Sequence, residues 1–302
     1  MKKTKLHLFG TTLLLATTSN VAMASQADYQ SEIGYEFQQV DYGNTVNTKD
    51  IQHTISFEYF LEPVIINDQP LAEAAFMNRI SSFAVGHGQF DTDSDNRTGK
   101  GNDNAFLYTH MQQGSALLFQ ILYARQTADY DFISSSYIDF SYDRTLTGIS
   151  LGSFVAKNTA IDLTYSQDKV EFLPAVYSTQ LDYTLTQTHI EAKHLMPIDN
   201  SHMVNIEATI GTDSYDNKGS ANTKNTLVEV KGEYYLNNRQ SIGGTLEKIS
   251  GDDNGYKGQA IAVHGKFFIT SKFSLAAKFR QFSGDKPNTD YDTITINANM
   301  RF

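Results

Sequence analysis

The chain has 302 residues, a formal net charge of −10, no cysteine and no tryptophan, but 17 tyrosines and 19 phenylalanines. The acidic balance excludes a nucleic-acid binder, which needs a basic footprint to displace phosphate counterions. The absence of cysteine excludes a disulfide framework and thiolate chemistry.

Residues 1–24 read as a secretory signal peptide cleaved after Ala24. Lys2, Lys3 and Lys5 precede the apolar stretch Leu6–Ala16, and Ala22-Met23-Ala24 places small residues where a signal peptidase cuts. The apolar stretch is interrupted by glycine and threonines and is too short to cross about 30 Å of hydrocarbon as a helix. No cysteine stands at the junction, which argues against a lipoprotein. Residues 25–302 then form one domain without an apolar run near the roughly 18–20 residues of a spanning helix. If this part enters a membrane, strands must carry it, because only helices and closed barrels satisfy every backbone polar group in lipid.

From there the chain repeats one pattern, a segment of about ten residues alternating apolar and polar side chains. Ile33, Tyr35 and Phe37 oppose Glu32, Glu36 and Gln38. Ile55, Phe57 and Tyr59 oppose Thr54, Ser56 and Glu58. Further on, Ile161, Leu163 and Tyr165 oppose Asp162 and Thr164, and Val204, Ile206, Ala208 and Ile210 oppose Asn205, Glu207 and Thr209. Val228, Val230 and Tyr234 oppose Glu229, Lys231 and Glu233, and Ile261, Val263, Phe267 and Ile269 oppose His264, Lys266 and Phe268. In the last segment Ile294, Ile296, Ala298, Met300 and Phe302 alternate with Thr295, Asn297, Asn299 and Arg301.

A hairpin unit recurs at Gly152–Ile161, Gly232–Ile242 and Gly265–Leu275, with a looser copy from Ala192 to Val204. Each places bulky residues before a tight polar turn, as in a meander. The pairs Tyr234/Tyr235 and Phe267/Phe268 are expected in an aromatic girdle at one membrane interface. Longer polar connections are expected at the other rim, over Asp91–Asn104, Ser166–Ser178, Thr212–Lys224, Gly251–Lys257 and Ser283–Asp290.

The expected fold is therefore all-β, a transmembrane antiparallel up-and-down barrel of about 14 strands. The stretch 105–150 is ambiguous, since Tyr137–Tyr142 could be a strand of its own, so 12 and 16 stay open. Glu62–Asn78 is the one awkward connection. It contains Pro63 and Pro70, and Leu71–Phe76 could form a helical turn; it reads either as a periplasmic flap or as the extended start of the next strand.

These hairpins, together with the leader and the alternating strand that ends on Phe302, resemble the general bacterial porins of Gram-negative outer membranes. The segment Pro70–Phe76 resembles one found after the second strand in such sequences. The resemblance covers residues 25–302. It implies passive diffusion of ions and small hydrophilic solutes through an outer-membrane channel, with no catalytic residue, no cofactor and no metal. It also implies that outer-membrane lipid, lipopolysaccharide and the barrel-assembly machinery are partners, the last through Ile296, Ala298, Met300 and Phe302. The long inward third loop of large trimeric porins cannot be assigned here, and monomer and homo-oligomer both stay open.

In a barrel the polar face of each strand points into the lumen. The candidate pore-lining residues are Glu229, Lys231, Glu233, Glu247, His264, Lys266, Lys278 and Arg280, with Glu32, Glu36, Glu58, Asp162, Glu207 and Arg301 on the same face. Two readings compete: a charged wall that favours cations, and charges that merely pair across neighbouring strands. Asp91, Asp93 and Asp95 have the alternate spacing that opens a calcium loop, but Asn96 and Asn102 stand where glycine and a bidentate glutamate belong. A solvated loop is expected there, with a weak divalent site shared with lipopolysaccharide as the alternative. The histidines are scattered: His189 and His194 are five apart on one strand and so face opposite ways, which gives neither a metal site nor a catalytic group. The alternative to a channel is a surface-interaction barrel with a blocked lumen.

Overall fold

The computed structural model describes residues 29–302, apart from 44–46, 67–68, 96, 113, 133–139, 175–181, 200–201, 218–221, 253–256 and 287–288. The expected signal peptide therefore lies outside the described residues, as do Tyr137 and Asp253.

Fourteen strands follow in chain order: β1 (Tyr29–Tyr42), β2 (Thr48–Val64), β3 (Ser82–Ser94), β4 (Arg97–Met111), β5 (Leu117–Phe132), β6 (Phe140–Ala156) and β7 (Thr159–Pro174), then β8 (Tyr183–Pro197), β9 (Met203–Asn217), β10 (Thr223–Asn237), β11 (Gln240–Gly251), β12 (Gly258–Phe268), β13 (Phe273–Gly284) and β14 (Tyr291–Arg301). Each pairs antiparallel with its neighbours, and β1 closes on β14 from Glu32↔Arg301 to Asp41↔Asp292. The closed barrel leaves no unpaired edge, as the interior of a bilayer demands. Phe140–Tyr142 opens β6 and is no separate strand, which settles the count at 14.

Side chains at paired positions share a face, so the register sorts them. Ile33, Phe57, Val85 and Phe106 occupy one cross-strand row and are all exposed. Ile149, Ile161, Ile206, Val230, Leu246, Val263, Phe279 and Ile296 continue an exposed apolar belt around the barrel. A belt of this extent has no place in water and marks the lipid-facing band.

Three expected loops are corrected. Asp91–Asn104 is mostly strand, with β3 running to Ser94 and β4 starting at Arg97. Ser166 to Pro174 belongs to β7, and Thr212 to Asn217 belongs to β9. The strands reach 17 residues in β2 and β6, whereas about 9–11 suffice to cross the hydrocarbon. Beyond the lipid the outward face has no reason to be apolar, so the alternation fades while the pairing continues.

Asp91 and Asp93, expected in a loop, are part of this strand pairing. Asp91 and Asp93 point outward from β3, between inward Thr92 and Ser94, and Asp91 pairs with Lys100 at 3.7 Å. Asp95 follows in the turn, and the described residues hold no cluster of three metal-ligating acids, histidines or cysteines.

The awkward connection becomes a short plug. A 3-10 turn (Leu71–Glu73) leads into α1 (Ala74–Asn78), and Leu71, Ala72, Glu73, Ala74 and Ala75 are all buried. It is not an extension of β3, which starts at Ser82. Arg79 ends α1 in the left-handed conformation, at φ 56°, and its backbone N–H caps the helix carbonyls.

Candidate functional site

The lumen is the place where polar side chains converge, and it has three levels. The lowest lies at the rim of the short turns, which in outer-membrane barrels is the periplasmic side. There the inward positions turn apolar: Phe60, Leu118, Phe154, Leu195, Tyr235 and Phe268 are buried. They grip the plug. Leu71 packs on Phe268, Ala72 on Leu195 and Tyr235, Ala74 and Ala75 on Tyr29 and Phe60, and Phe76 on Phe154. This corrects the expected girdle. Of each bulky pair only Tyr234 and Phe267 face outward; Tyr235 and Phe268 face in. One residue of the pair meets lipid and the other meets the plug, so both must be apolar.

Polar contacts fix the plug as well. The Glu73 carboxylate accepts from Tyr235 Oη at 2.7 Å and pairs with Lys193 Nζ at 2.7 Å. The Arg79 guanidinium lies 4.2 Å over the Phe154 ring and donates to Ser115 O at 2.9 Å. The segment thus crosses the mouth from β12 to β6 and is tied down at both ends.

The middle level is charged. The eight sequence-derived candidates, Glu229, Lys231, Glu233, Glu247, His264, Lys266, Lys278 and Arg280, all stand on the inward face in the register. Many are paired. Lys231 reaches Glu207 at 2.8 Å, and Glu207 also meets Lys193 at 3.2 Å. Arg280 grips both oxygens of Glu247, at 3.0 and 2.9 Å, from two strands away. It can do so because the inward residues of β12 between them are Ala260 and Ala262. Glu233 accepts from Ser241 at 2.6 Å and lies 3.9 Å from His264. At the rim Arg301 donates to Glu32 at 2.8 Å and covers Tyr29 at 3.6 Å.

Above the Lys193–Glu207–Lys231 row runs a second one, Glu191, Thr209, Glu229 and Glu247. Among the described residues, Glu36, Glu191 and Glu229 have no cation within 4 Å, and on the basic side neither does Lys278 a carboxylate. Glu191 and Lys193 were missed in the sequence because β8 reads poorly. Its outward face holds Thr184, Thr186, Thr188 and His194 beside Ile190, so neither face stands out. His189 points in, to Asp213 at 3.0 Å, and His194 points out, to the Thr159 hydroxyl.

The upper level is aromatic, and nothing in the periodicity announced it. Inward-facing Tyr130, Phe140, Tyr142, Phe172, Tyr183 and Tyr215 form a chain of ring contacts at 5.0–6.4 Å. On the other side Tyr42, Tyr291 and Phe282 do the same. Between the two groups β4 offers glycines where the rings lie flat. A Cβ on Gly99 would sit 2.3 Å from Tyr130, and one on Gly101 would sit 2.4 Å from Phe90. Beneath this collar Arg144 grips Asp168 with Nε at 3.0 Å and Nη2 at 2.8 Å, and Gln52 donates to Asp103 at 2.6 Å. The aspartates of the expected loops do not share one face: Asp213 faces in, to His189, whereas Asp91, Asp93 and Asp216 face out.

At the last strand Ile296, Ala298 and Met300 lie outward and Phe302 is half exposed. Its backbone is bonded to Gln30 and Ser31.

A closed, all-antiparallel barrel with a lipid-facing belt and a polar interior is an outer-membrane β-barrel. The family model described as Putative general bacterial porin matches residues 1–302, and the chain belongs to that family. No curated protein matches it. Among solved structures, the Acinetobacter baumannii outer membrane protein Omp33 is similar at 19% identity and a TM-score of 0.51, with 91% of this chain and 99% of that one covered. A TodX monoaromatic hydrocarbon channel mutant aligns at 9% identity and a TM-score of 0.54, covering 95% and 93% of the two chains. The CymD monoaromatic hydrocarbon channel aligns at 9% and 0.53, covering 91% and 89%. At these identities the likeness speaks for the fold.

Proposed function

We propose that the chain forms a water-filled channel for passive diffusion of ions and small hydrophilic solutes, with a mild preference for cations. The observation that carries this is the charged inward face in a porin-family barrel, above all the acidic row of Glu191 and Glu229. Carboxylates held in a low-dielectric wall focus their field into the lumen and raise the local cation concentration. Glu247 contributes less to that field, because Arg280 stands against it. Lysines and arginines paired to carboxylates keep the wall from becoming too adhesive for a moving ion.

The plug lies across the short-turn mouth, so on the channel reading ions pass beside it or displace it. The same plug favours a second reading, a surface-interaction barrel whose lumen stays blocked. Under either reading the last strand would be read by the barrel-assembly machinery, and lipopolysaccharide would meet outward charges such as Asp91 and Lys100. The deciding experiment is a planar-bilayer recording of the folded protein. Conductance steps whose reversal potential in a KCl gradient shows potassium preference support the channel. Silence at all potentials and salts supports the blocked barrel.

A further inference from the structure

At the charged level, the inward face of β4, β5 and β6 carries a patch without charge. In the register Leu107, Leu122 and Gly148 stand side by side, and Ala105, Ala124 and Leu146 form the next row toward the collar. All six are half-buried, whereas inward Leu118 and Leu195, at the level of the plug, are buried. Neighbouring strands lie about 4.8 Å apart and same-face residues about 7 Å apart, so the patch measures about 10 by 7 Å, the footprint of one aromatic ring. Glycine and alanine widen a lumen, but leucine does not. Three leucines facing water inside a channel leave apolar surface uncovered, which is unfavourable.

We infer that this patch holds the apolar body of an amphipathic organic cation, an arylalkyl ammonium, whose charge lies at Asp162 and Glu191. The inference rests on the channel reading and adds to it a class of solute with an apolar ring.

The charge follows from what borders the patch. Two residues from Gly148, on the same face of β6, stands Ser150, which donates to Asp162 of β7 at 2.9 Å. Thr164 donates to the same oxygen at 3.2 Å. Asp162 stands directly opposite Glu191 on β8. Two carboxylates opposed across a strand pair repel each other, and among the described residues neither has a cation within 4 Å. Lys193, the next inward residue of β8, is taken up by Glu73 and Glu207. An ammonium group beside Asp162 and Glu191 replaces their repulsion with two attractions. An inorganic cation would do the same but leave the leucines against water. A neutral apolar molecule would cover the leucines and leave the carboxylates opposed, and an anion would add to the repulsion. A molecule with both an apolar ring and a positive charge answers both features.

The test uses the full chain, folded in detergent and titrated calorimetrically, with the heat of transfer into empty micelles subtracted. The probes are 2-phenylethylammonium, ethylammonium and phenylacetate. Saturable binding of 2-phenylethylammonium is expected, with the other two much weaker, since one lacks the ring and the other carries the opposite charge. Leu122→Asn should weaken 2-phenylethylammonium binding by about tenfold through loss of apolar contact. Glu191→Gln should weaken it by about fivefold through loss of charge. Heat-modifiable migration reports that each variant is folded, and Leu146→Asn tests the same patch from the neighbouring strand should Leu122→Asn fail to fold. Absent binding, equal binding of ethylammonium or phenylacetate, or folded variants that bind as the parent does would each overturn the inference. Bilayer recording separates the two proposals. Conductance without 2-phenylethylammonium binding removes the site and leaves the channel, whereas binding without conductance keeps the site and removes the channel.

Discussion

Glu73, in the short helical segment between the second and third strands, lies 2.7 Å from Lys193 on the eighth strand, on the far wall of the barrel. The pair joins the plug to the charged middle of the lumen, because Lys193 also meets Glu207. Its removal should loosen the plug without removing the barrel. Glu73→Gln keeps the size of the side chain and loses the charge, and single-channel recording should show longer or larger openings than the parent. Breaking a buried pair from one side costs about 3–5 kcal/mol, a cost expected here as local release of the segment. Identical openings in parent and variant would show that the segment is not the barrier.

Selectivity should follow the carboxylates that lack a cation. Glu191→Gln combined with Glu229→Gln should move the reversal potential in a KCl gradient toward zero. Glu247→Gln should do less, since Arg280 already grips both oxygens of that carboxylate. The parent's preference should also fade with salt, as the Debye length falls from about 10 Å at 0.1 M to about 3 Å at 1 M. An anion-selective parent would put Lys278 and its neighbours at the constriction instead.

The lipid-facing belt predicts the cost of charge. Ile206→Arg or Val263→Arg should destabilise the barrel by about 2–4 kcal/mol, the range for a cation at mid-membrane, measured by urea unfolding in lipid vesicles. A charge at Thr245 faces the lumen and should cost less. Asn205 also faces in, but it is 1% exposed and donates to Glu207 at 2.7 Å. Facing the lumen is therefore not enough for tolerance, and Asn205→Asp should destabilise through repulsion of Glu207.

The collar depends on the absence of a side chain at Gly99. Gly99→Ala places a Cβ where the Tyr130 ring lies, at 2.3 Å. The ring must move, and overpacking of this kind costs about 1–3 kcal/mol. Near-ultraviolet circular dichroism, which in this chain reads tyrosine and phenylalanine without tryptophan, should change in the variant. An unchanged spectrum would mean that the ring contacts do not persist in solution.

Phe302→Asp should lower the amount of heat-modifiable, folded protein in the outer membrane. Phe302 continues the outward row of Met300, Ala298 and Ile296 and is half exposed, so folding of the isolated chain gives no reason for its size. Wild-type levels of folded protein would show that the residue carries no assembly signal.

The barrel was legible in the sequence because lipid imposes a strict rule on every second residue. Ile206 and Ile210 against Glu207 and Thr209 can be read as two faces without any coordinates, and so can the strand that carries Ile296 and Arg301. The inward register of Glu229, Lys231, Glu233 and Arg280 followed from the same rule. The rule stops at the edge of the hydrocarbon. Beyond it, Asp91 to Asn104 looks like loop, because its outward positions are polar, and only hydrogen-bonded pairing with β2 and β5 makes it strand.

Tertiary structure alone decided what fills the lumen. Nothing local distinguishes Glu73 from a surface glutamate or Leu71 from a loop leucine. Their roles exist because closing the sheet brings Phe268, Leu195, Lys193 and Tyr235, more than a hundred residues away, around one mouth. The doublets Tyr234/Tyr235 and Phe267/Phe268 did carry the trace of this, since a bulky residue on both faces means an apolar partner on both sides. The sequence shows the doublet; only the closed barrel shows that the second partner is the chain itself. Charge pairing obeys the same limit. Glu247 and Arg280 are 33 residues and two strands apart, and they meet because two alanines between them leave the space open.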